Sequence, residues 1–233
     1  MNISSEDSAE LEKFADSPEM AVFFGSFGKS IRDAADKLGL KYIIVSDFTP
    51  ESISVVVDNI TGISLAVGYL KSLGHRQIAF INGNSSRYND AERYRGFISS
   101  MYREKLTVSE DLVMECAGTS DSGYECAMRL RNETDKFTAL VAANDMIALG
   151  AMKAFSALGL KIPADISVLG FDNTEQCLYS TPRLTSVGVD TVIFAKRMMS
   201  ACLEAKDGSR HGAVKYSVIP ELFIRESVSE AKQ

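Results

Sequence analysis

Short runs of apolar residues alternate along this chain with segments whose apolar residues recur at helical spacing. The runs are rich in β-branched and aliphatic side chains and are bounded by polar or glycine-containing segments, a pattern that predicts strands. Because the runs are continuously apolar, we expect strands that are covered on both faces. Seven strands are predicted on this basis: Ala21–Gly25, Tyr42–Val45, Val55–Val57, Ile78–Asn82, Leu112–Met114, Ala139–Ala142 and Ser167–Gly170.

The segments between the runs predict amphipathic helices. Gly39, Gly74 and Gly159 directly follow three of them, and a left-handed glycine commonly ends a helix. The alternation of strands with helices indicates an α/β protein with parallel sheets flanked by helices. Six helices are predicted: Ile31–Leu38, Gly62–Leu73, Arg93–Arg103, Gly123–Arg131, Met146–Leu158 and Val192–Lys206.

Polar residues gather where four of the predicted strands end. Each single Asp or Asn carries little weight, because these residues are also ordinary turn formers and helix caps. Ligands of open α/β sheets bind outside the carboxyl ends of the strands, so four such ends together favour a site for a small polar molecule. The four ends are Ser46-Asp47, Asn82-Gly83-Asn84, Asn144-Asp145 and Asp172-Asn173.

Composition and charge narrow the class of protein. Hydrophobic residues make up 45% and charged residues 24% of the 233 residues, which is typical of a globular chain and excludes a collagen-like repeat. The formal net charge of −6 argues against direct binding of this chain to DNA or to an acidic membrane. We find no run of about 18 apolar residues and no basic, apolar leader, so we expect a cytoplasmic protein without membrane contact.

Residues with enzyme or metal chemistry are sparse. Four scattered cysteines, none in a Cys-x-x-Cys pair, and two histidines form no zinc-binding pattern. Gly25–Ser30 ends in the Gly-Lys-Ser of a phosphate-binding loop, but Phe23 stands where the first glycine of that motif is required. No dinucleotide fingerprint or nucleophile elbow occurs either. We therefore predict a protein that is not an enzyme and that needs neither a cofactor nor a metal.

Seven motifs follow one another in a specific order over most of the chain. They are Asp58–Gly62, Gly74–Ile81, Glu92–Phe97, Ala142–Gly150, Pro163–Asn173, Thr181–Val187 and Glu221–Ser227. Each motif is weak alone, but in this order they resemble the lactose/galactose repressor (LacI/GalR) family of transcription regulators. The resemblance extends from about Phe14 to Val228.

The resemblance implies a two-lobed fold like that of type I periplasmic binding proteins, in which the lobes close over a small effector. One lobe is expected to comprise residues 1–60 and 191–217, and the other residues 61–190 and 218–233. Family members begin with a helix-turn-helix headpiece that binds operator DNA, followed by further elements of the first lobe. We expect this chain to be an effector-binding core with an incomplete N-terminal lobe. We expect the regulator to contact operator DNA only through the missing headpiece.

The resemblance also implies the residues that contact the effector. Asp47, Arg93, Asn144 and Asp172 match polar effector-contacting positions of the family. Carboxylates accept hydrogen bonds from hydroxyl groups and a guanidinium donates in a fixed fork, so these residues favour a sugar over a purine. Many relatives stack an aromatic ring on the ligand at the segment that matches Cys116–Ser120, which here holds no aromatic residue.

Two classes of function are compatible with this fold. The first is the effector-binding and dimerisation domain of a cytoplasmic transcription regulator, with Met146–Leu158 and Leu178–Thr181 matching a homodimer surface of the family. The second is a solute-binding protein that delivers a sugar to a transporter. The motifs Gly74–Ile81 and Arg225–Ser227, together with the absent leader, favour the regulator.

Overall fold

The computed structural model describes residue 11 and the ranges 20–26, 29–208 and 213–232 of the chain. Strands and helices alternate along these ranges. The strands are β1 (Ala21–Phe24), β2 (Tyr42–Val45), β3 (Ile53–Val57), β4 (Ile78–Asn82), β5 (Val113–Glu115), β6 (Ala139–Ala142), β7 (Ser167–Phe171), β8 (Thr185–Gly188), β9 (Val214–Val218) and β10 (Glu221–Phe223). The helices of the range 29–208 are α1 (Lys29–Lys37), α2 (Asn59–Ser72), α3 (Tyr88–Arg103), α4 (Ser120–Glu133), α5 (Asp145–Ala157), α6 (Gln176–Tyr179) and α7 (Thr191–Asp207).

The chain divides into two compact units, each made of two separate stretches of sequence. The described residues of Met1–Val57 and Asp190–Val218 form the first unit. Those of Asp58–Val189 and Ile219–Gln233 form the second unit. Each unit has its own sheet, and the two are described separately below.

The first unit is built on a four-stranded parallel sheet with the order β1-β2-β3-β9. Strand β9 comes from a distant part of the chain and pairs with β3 along its whole length. Helix α1 packs on β1 and β2, where its Ile31 and Ala35 are buried with Phe23 and Ile44. Helix α7 packs on β2, β3 and β9. Residues that are distant in sequence therefore form one core.

The second unit contains a six-stranded sheet with the order β10-β8-β7-β6-β4-β5. Five of its strands run parallel, and β10 pairs antiparallel with β8. The chain leaves β4 for β5 on one side, returns to β6 on the other side, and then continues outward to β7 and β8. This reversal places a topological switch point between β4 and β6. The predicted α/β class with parallel sheets flanked by helices is confirmed.

Helices α4 and α5 lie backbone to backbone. A Cβ atom on Gly150 would come within 2.0 Å of the Ser120 carbonyl oxygen, and one on Gly123 within 2.6 Å of the Ile147 carbonyl oxygen. The obstructing atoms belong to the backbone and cannot move aside, so only glycine permits this approach. The contact joins the N-terminal halves of the two helices.

Some element ends differ from those predicted from periodicity. Helix α4 begins at Ser120 rather than at Gly123, because Thr119 and Ser122 form a capping box that satisfies polar groups at the helix start. Strands β8, β9 and β10 were not predicted; β9 and β10 lie at sheet edges, and β10 has only three residues. In the described part of the chain, no helix has the length and apolar character needed to cross a bilayer.

Candidate functional site

Three neighbouring strands of the second unit end in polar residues at one edge of the sheet. β4 ends at Asn82, β6 is followed by Ala143 and Asn144, and β7 is followed by Asp172. This edge includes the switch point between β4 and β6, where the connections diverge and leave a crevice in which ligands of α/β proteins bind. The strand order therefore gathers residues that are far apart in the chain.

The guanidinium of Arg93, on α3, lies at the centre of this edge. The residue is only 5% exposed. Nε donates to Asn59 Oδ1 at 2.8 Å, Nη1 to the Ala143 carbonyl oxygen at 2.5 Å, and Nη2 to Asp172 Oδ1 at 2.8 Å. The guanidinium carbon also lies 3.9 Å from the centroid of the Phe171 ring, within the range of a cation–π interaction. Because a buried charge must be paired and hydrogen-bonded, these contacts hold Arg93 in one position.

Asp172 follows β7 with a backbone φ of 105°, in the region that favours glycine. Such a conformation costs about 1–3 kcal/mol and is found preferentially at functional sites. Oδ1 accepts from Arg93, whereas Oδ2 has no hydrogen-bond partner among the described residues. Desolvation raises the pKa of the Asp172 carboxyl, and the Arg93 charge opposes this rise. The side chain is still 42% exposed, so contact with solvent limits the shift.

The loop that carries Asp172 is held from two directions. A Cβ atom on Gly188 would lie 2.4 Å from Asn173 Cβ and 2.9 Å from the Asp172 carbonyl oxygen, so the loop passes directly over this glycine. Arg225 donates from Nη2 to Asn173 Oδ1 at 2.5 Å and from Nη1 to the Leu184 carbonyl oxygen at 2.7 Å. The arginine of the terminal Arg-Glu-Ser motif is thus a positioning residue for the loop after β7.

Asn144 occupies the N-cap of α5. Its Oδ1 accepts from the Ile147 backbone N–H at 2.8 Å, and its Nδ2 donates to the Gly118 carbonyl oxygen at 3.0 Å. One amide hydrogen and one lone pair remain, since a side-chain amide can make two donor and two acceptor contacts. The side chain therefore links α5 to the turn before α4.

Asp47 belongs to the first unit, where it follows β2 and is buried. Its Oδ1 accepts from the Phe48 backbone N–H at 2.8 Å. The preceding Ser46 has a φ of 63°, so this strand end, like that of β7, includes a residue in the left-handed region. The structure thus joins Arg93 and Asp172 by direct contact, with Asn144 at the neighbouring strand end, and places Asp47 in the other unit.

Asn59 is a site residue that was not predicted. It is buried at the start of α2, where its Oδ1 accepts from Arg93. The preceding Asp58 caps this helix by accepting from the Thr61 backbone N–H at 3.0 Å. A polar pair directly after a buried strand was the available signal, but a helix cap accounts for the same pattern.

The predicted polar end of β4 at Asn82 belongs to a network with Ser85 and Glu115, two residues that were not predicted. Asn82 Nδ2 donates to Ser85 Oγ at 3.1 Å, and the Ser85 backbone N–H donates to Glu115 Oε1 at 3.0 Å. Burial raises the pKa of the nearby Asp90, against the attraction of Arg93. Asn82 Oδ1 is buried without a hydrogen-bond partner in the described part of the chain. A buried acceptor of this kind is rare and fits a hydrogen-bond donor on a ligand.

The described residues contain no group of three or more His, Cys, Asp or Glu side chains arranged to hold a metal ion. Of the glycine-containing segment Gly25–Ser30, Phe27 and Gly28 lie outside the described residues. Gly25 follows β1 with a φ of 88°, and α1 begins at Lys29.

Comparison with known proteins connects this architecture to a family. The model of the periplasmic binding protein-like domain matches residues 67–228. The HTH-type transcriptional repressor PurR of Haemophilus influenzae (strain PittEE) is 33% identical over 191 residues, which cover 80% of this chain and 57% of that repressor. The chain thus spans a little over half the length of the curated relatives that it matches.

Two solved structures extend the similarity over nearly the whole chain. A sugar-binding transcriptional regulator of the LacI family from Escherichia coli, complexed with phosphate, has a TM-score of 0.80 and 26% identity, covering 94% of this chain and 81% of that one. A dimeric Lac repressor has a TM-score of 0.84 and 25% identity, covering 98% and 85%.

These similarities distinguish between the classes of function weighed above. The matched proteins are transcriptional regulators and repressors, which confirms the prediction that the chain is not an enzyme and favours a regulator over a transport protein. Together with the two α/β units and their strand order, they establish that this chain belongs to the periplasmic-binding-protein-like domain family, as an effector-binding core of the LacI type.

Proposed function

We propose that this chain binds a sugar or a related small polar molecule at the carboxyl ends of β4, β6 and β7. Binding would control operator DNA binding by a headpiece elsewhere in a longer, cytoplasmic regulator. The observation that carries the proposal is the Arg93–Asp172 ion pair, which lies on the Phe171 ring beside the switch point of the sheet. Asn144 is proposed as a further contact, and the role of Asp47 in the other unit stays a prediction.

The polar groups at this edge suit neighbouring hydroxyls. Arg93 uses three of its five N–H groups within the protein, so two can donate to a ligand. Asp172 Oδ2 can accept from a hydroxyl, and Asn82 Oδ1 is a buried acceptor that has no donor among the described residues. Each hydroxyl that loses water on binding needs such a partner, because an unsatisfied buried polar group costs about 1–3 kcal/mol. An effector rich in hydroxyl groups would provide partners for these protein groups, and the protein groups would in turn provide partners for its hydroxyls.

A sugar is proposed over a purine on two grounds. The segment Cys116–Ser120 offers no aromatic ring for a flat base, and one of the matched regulators is described as sugar-binding. The name PurR of other relatives makes a purine the main competing effector, so a ligand screen must include both sugars and purines.

The test is a thermal-shift screen of sugars, sugar phosphates and purines, followed by calorimetry on variants. Asp172→Asn keeps the side-chain shape but removes the charge, and Arg93→Lys removes the fork. Both should weaken binding of a hit by about ten- to a hundredfold, which corresponds to about 1.4–2.7 kcal/mol. Asp165→Asn, at a surface carboxylate paired with Lys232, is the matched control and should bind like the unaltered chain. A hit whose affinity does not change in Asp172→Asn would show that the ligand binds elsewhere.

We also propose that the chain forms a homodimer through α5 and the segment around α6. Met146 on α5 and Leu178 and Tyr179 on α6 are exposed, and a groove beside them is lined by Leu149, Met152, Lys153, Ser156, Ser180 and Thr181. Clustered exposed apolar groups of this kind mark interaction surfaces. Sedimentation should detect a dimer that Tyr179→Asp dissociates. Tyr102→Asp, at an equally exposed tyrosine on α3, should remain dimeric, and a monomeric unaltered chain would contradict the proposal.

A further inference from the structure

Two of the four cysteines lie together beside the candidate site. Cys116 directly follows β5, the strand next to β4, and Cys126 lies on α4. Cys116 is close enough to raise the pKa of the Cys126 thiol. Cys126 Sγ also lies 3.7 Å from the carbonyl oxygen of Glu115, the residue before Cys116. The end of β5 and the face of α4 therefore bring two thiol side chains close together.

We propose that Cys116 and Cys126 form a reversible intrachain disulfide, which makes the turn before α4 sensitive to the redox state. The oxidant is a small disulfide such as oxidised glutathione. The Cys116 thiolate attacks one of its sulfurs, forms a mixed disulfide and releases one reduced thiol. Cys126 then loses its proton to solvent, attacks Cys116 Sγ and releases the second thiol. Two protein thiols are thereby oxidised while one small disulfide is reduced to two thiols.

The surroundings of the two thiols favour this order of events. Cys116 is half-buried and Cys126 is buried, so a small disulfide reaches Cys116 first. Burial raises the pKa of Cys126, and the charge of Cys116 raises it further. Once Cys116 is in a mixed disulfide it carries no charge, so the second of these effects disappears as the Cys126 attack becomes necessary.

The other two cysteines have different surroundings. Cys177 is fully buried, and its burial together with the Asp145 carboxylate raises the pKa to about 12. Cys202 lies on α7 in the first unit, where burial raises the pKa of its thiol. Both serve as internal references for the reactive pair.

The disulfide would act on the segment that holds Asn144. The two sulfurs must approach to about 2.05 Å to bond, which draws Cys116 toward α4. Two residues later, the Gly118 carbonyl oxygen accepts from Asn144 Nδ2 at 3.0 Å, and Gly118 has a φ of 86°. Oxidation should therefore alter this hydrogen bond. Its effect on effector binding rests on the proposed function, whereas the disulfide itself does not.

The experiment uses the full chain in buffers of increasing ratio of oxidised to reduced glutathione. Free thiols are alkylated and the peptides mapped by mass spectrometry. The unaltered chain and the control Cys202→Ser should yield a crosslink between Cys116 and Cys126. In Cys126→Ser the reaction should stop at the mixed disulfide between glutathione and Cys116. In Cys116→Ser the thiol of Cys126 should stay reduced. An unaltered chain that retains glutathione on Cys116, links other cysteines or stays reduced overturns the proposal.

Amide hydrogen exchange provides a readout that needs no effector. Oxidation should change the exchange rates of residues 116–119 and of the first turn of α5, and reduction should restore them. The crosslink without such a change would overturn the coupling to Asn144. A failed effector screen would contradict the proposed function but would leave both of these results intact.

Discussion

Replacement of Gly150 by alanine should strongly destabilise the second unit. The new Cβ would lie 2.0 Å from the Ser120 carbonyl oxygen and 2.8 Å from the Tyr124 backbone nitrogen. An ordinary contact begins at 3.4 Å, so α4 and α5 must separate by about 1.4 Å. Both obstructing atoms are backbone atoms of α4, so no side-chain rotation relieves the clash. The helices can only shift as bodies or lose their close packing.

Gly150→Ala should lower the free energy of unfolding because it overpacks the contact between α4 and α5, and overpacking typically costs about 1–3 kcal/mol. Gly68→Ala is the matched control, because Gly68 lies within α2 and an added Cβ would meet no heavy atom within 4 Å. Alanine there should stabilise the chain by about 0.5–1 kcal/mol, since it restricts the unfolded state and favours the helix. The two variants should therefore differ by about 1.5–4 kcal/mol in the free energy of unfolding.

Urea denaturation followed by far-UV circular dichroism measures this difference, and thermal melting should place the two Tm values about 5–15 °C apart. Because α5 carries Asn144 at its N-cap, Gly150→Ala should also weaken the binding of any hit from the effector screen. Equal stability of Gly150→Ala and Gly68→Ala would refute the close backbone contact of α4 and α5.

Three further predictions test other parts of the second unit. His75 is buried between Thr138 and Ser229, and burial lowers its pKa, so the unfolded state binds more protons just below pH 6.5. Stability should therefore decrease as the pH is lowered through this range, by up to about 1.4 kcal/mol per pH unit, and His75→Gln should flatten this dependence in urea titrations across pH 5 to 7.5. Cys177, with a pKa of about 12, should react with Ellman's reagent at pH 8 only when urea unfolds the chain, and rapid labelling in the native state would contradict its burial. Thr119→Ala removes one half of the capping box of α4 and should lower the free energy of unfolding by about 1 kcal/mol, a loss that Thr119→Ser should largely avoid in the same denaturation assay.

Much of the fold could be predicted because apolar periodicity is a local property. The strands of the two sheets and the helices between them follow from residues that are neighbours in the chain, as in Ile78–Asn82 and Ala139–Ala142. Strands β9 and β10 were not predicted from the sequence. Apolar and polar residues alternate in β9, so it has no continuous apolar run, and β10 has only three residues, which is too few for a recognisable pattern.

The candidate site was predictable only in part. Asp172 and Asn144 stand out as polar residues at strand ends, and Arg93 enters through the family motif. Their relation in space does not follow from the chain, because Arg93 and Asp172 are separated by 79 positions and meet only through the order of the strands. Asn59 could not be distinguished from an ordinary helix start, although it holds the guanidinium.

The sequence by itself determined the α/β class, the polar strand ends and membership of a regulator family, since each is written in local spacing or in the order of short motifs. The tertiary structure alone decided which of these groups touch. It placed Arg93 against Phe171, gave Asp172 its strained backbone and brought Cys126 beside the end of β5 that carries Cys116. Among the described residues, it left Asn82 Oδ1 without a hydrogen-bond partner. The physical reason is that burial, pairing and strain depend on neighbours supplied by strand order and by the close approach of helices, which no single segment encodes.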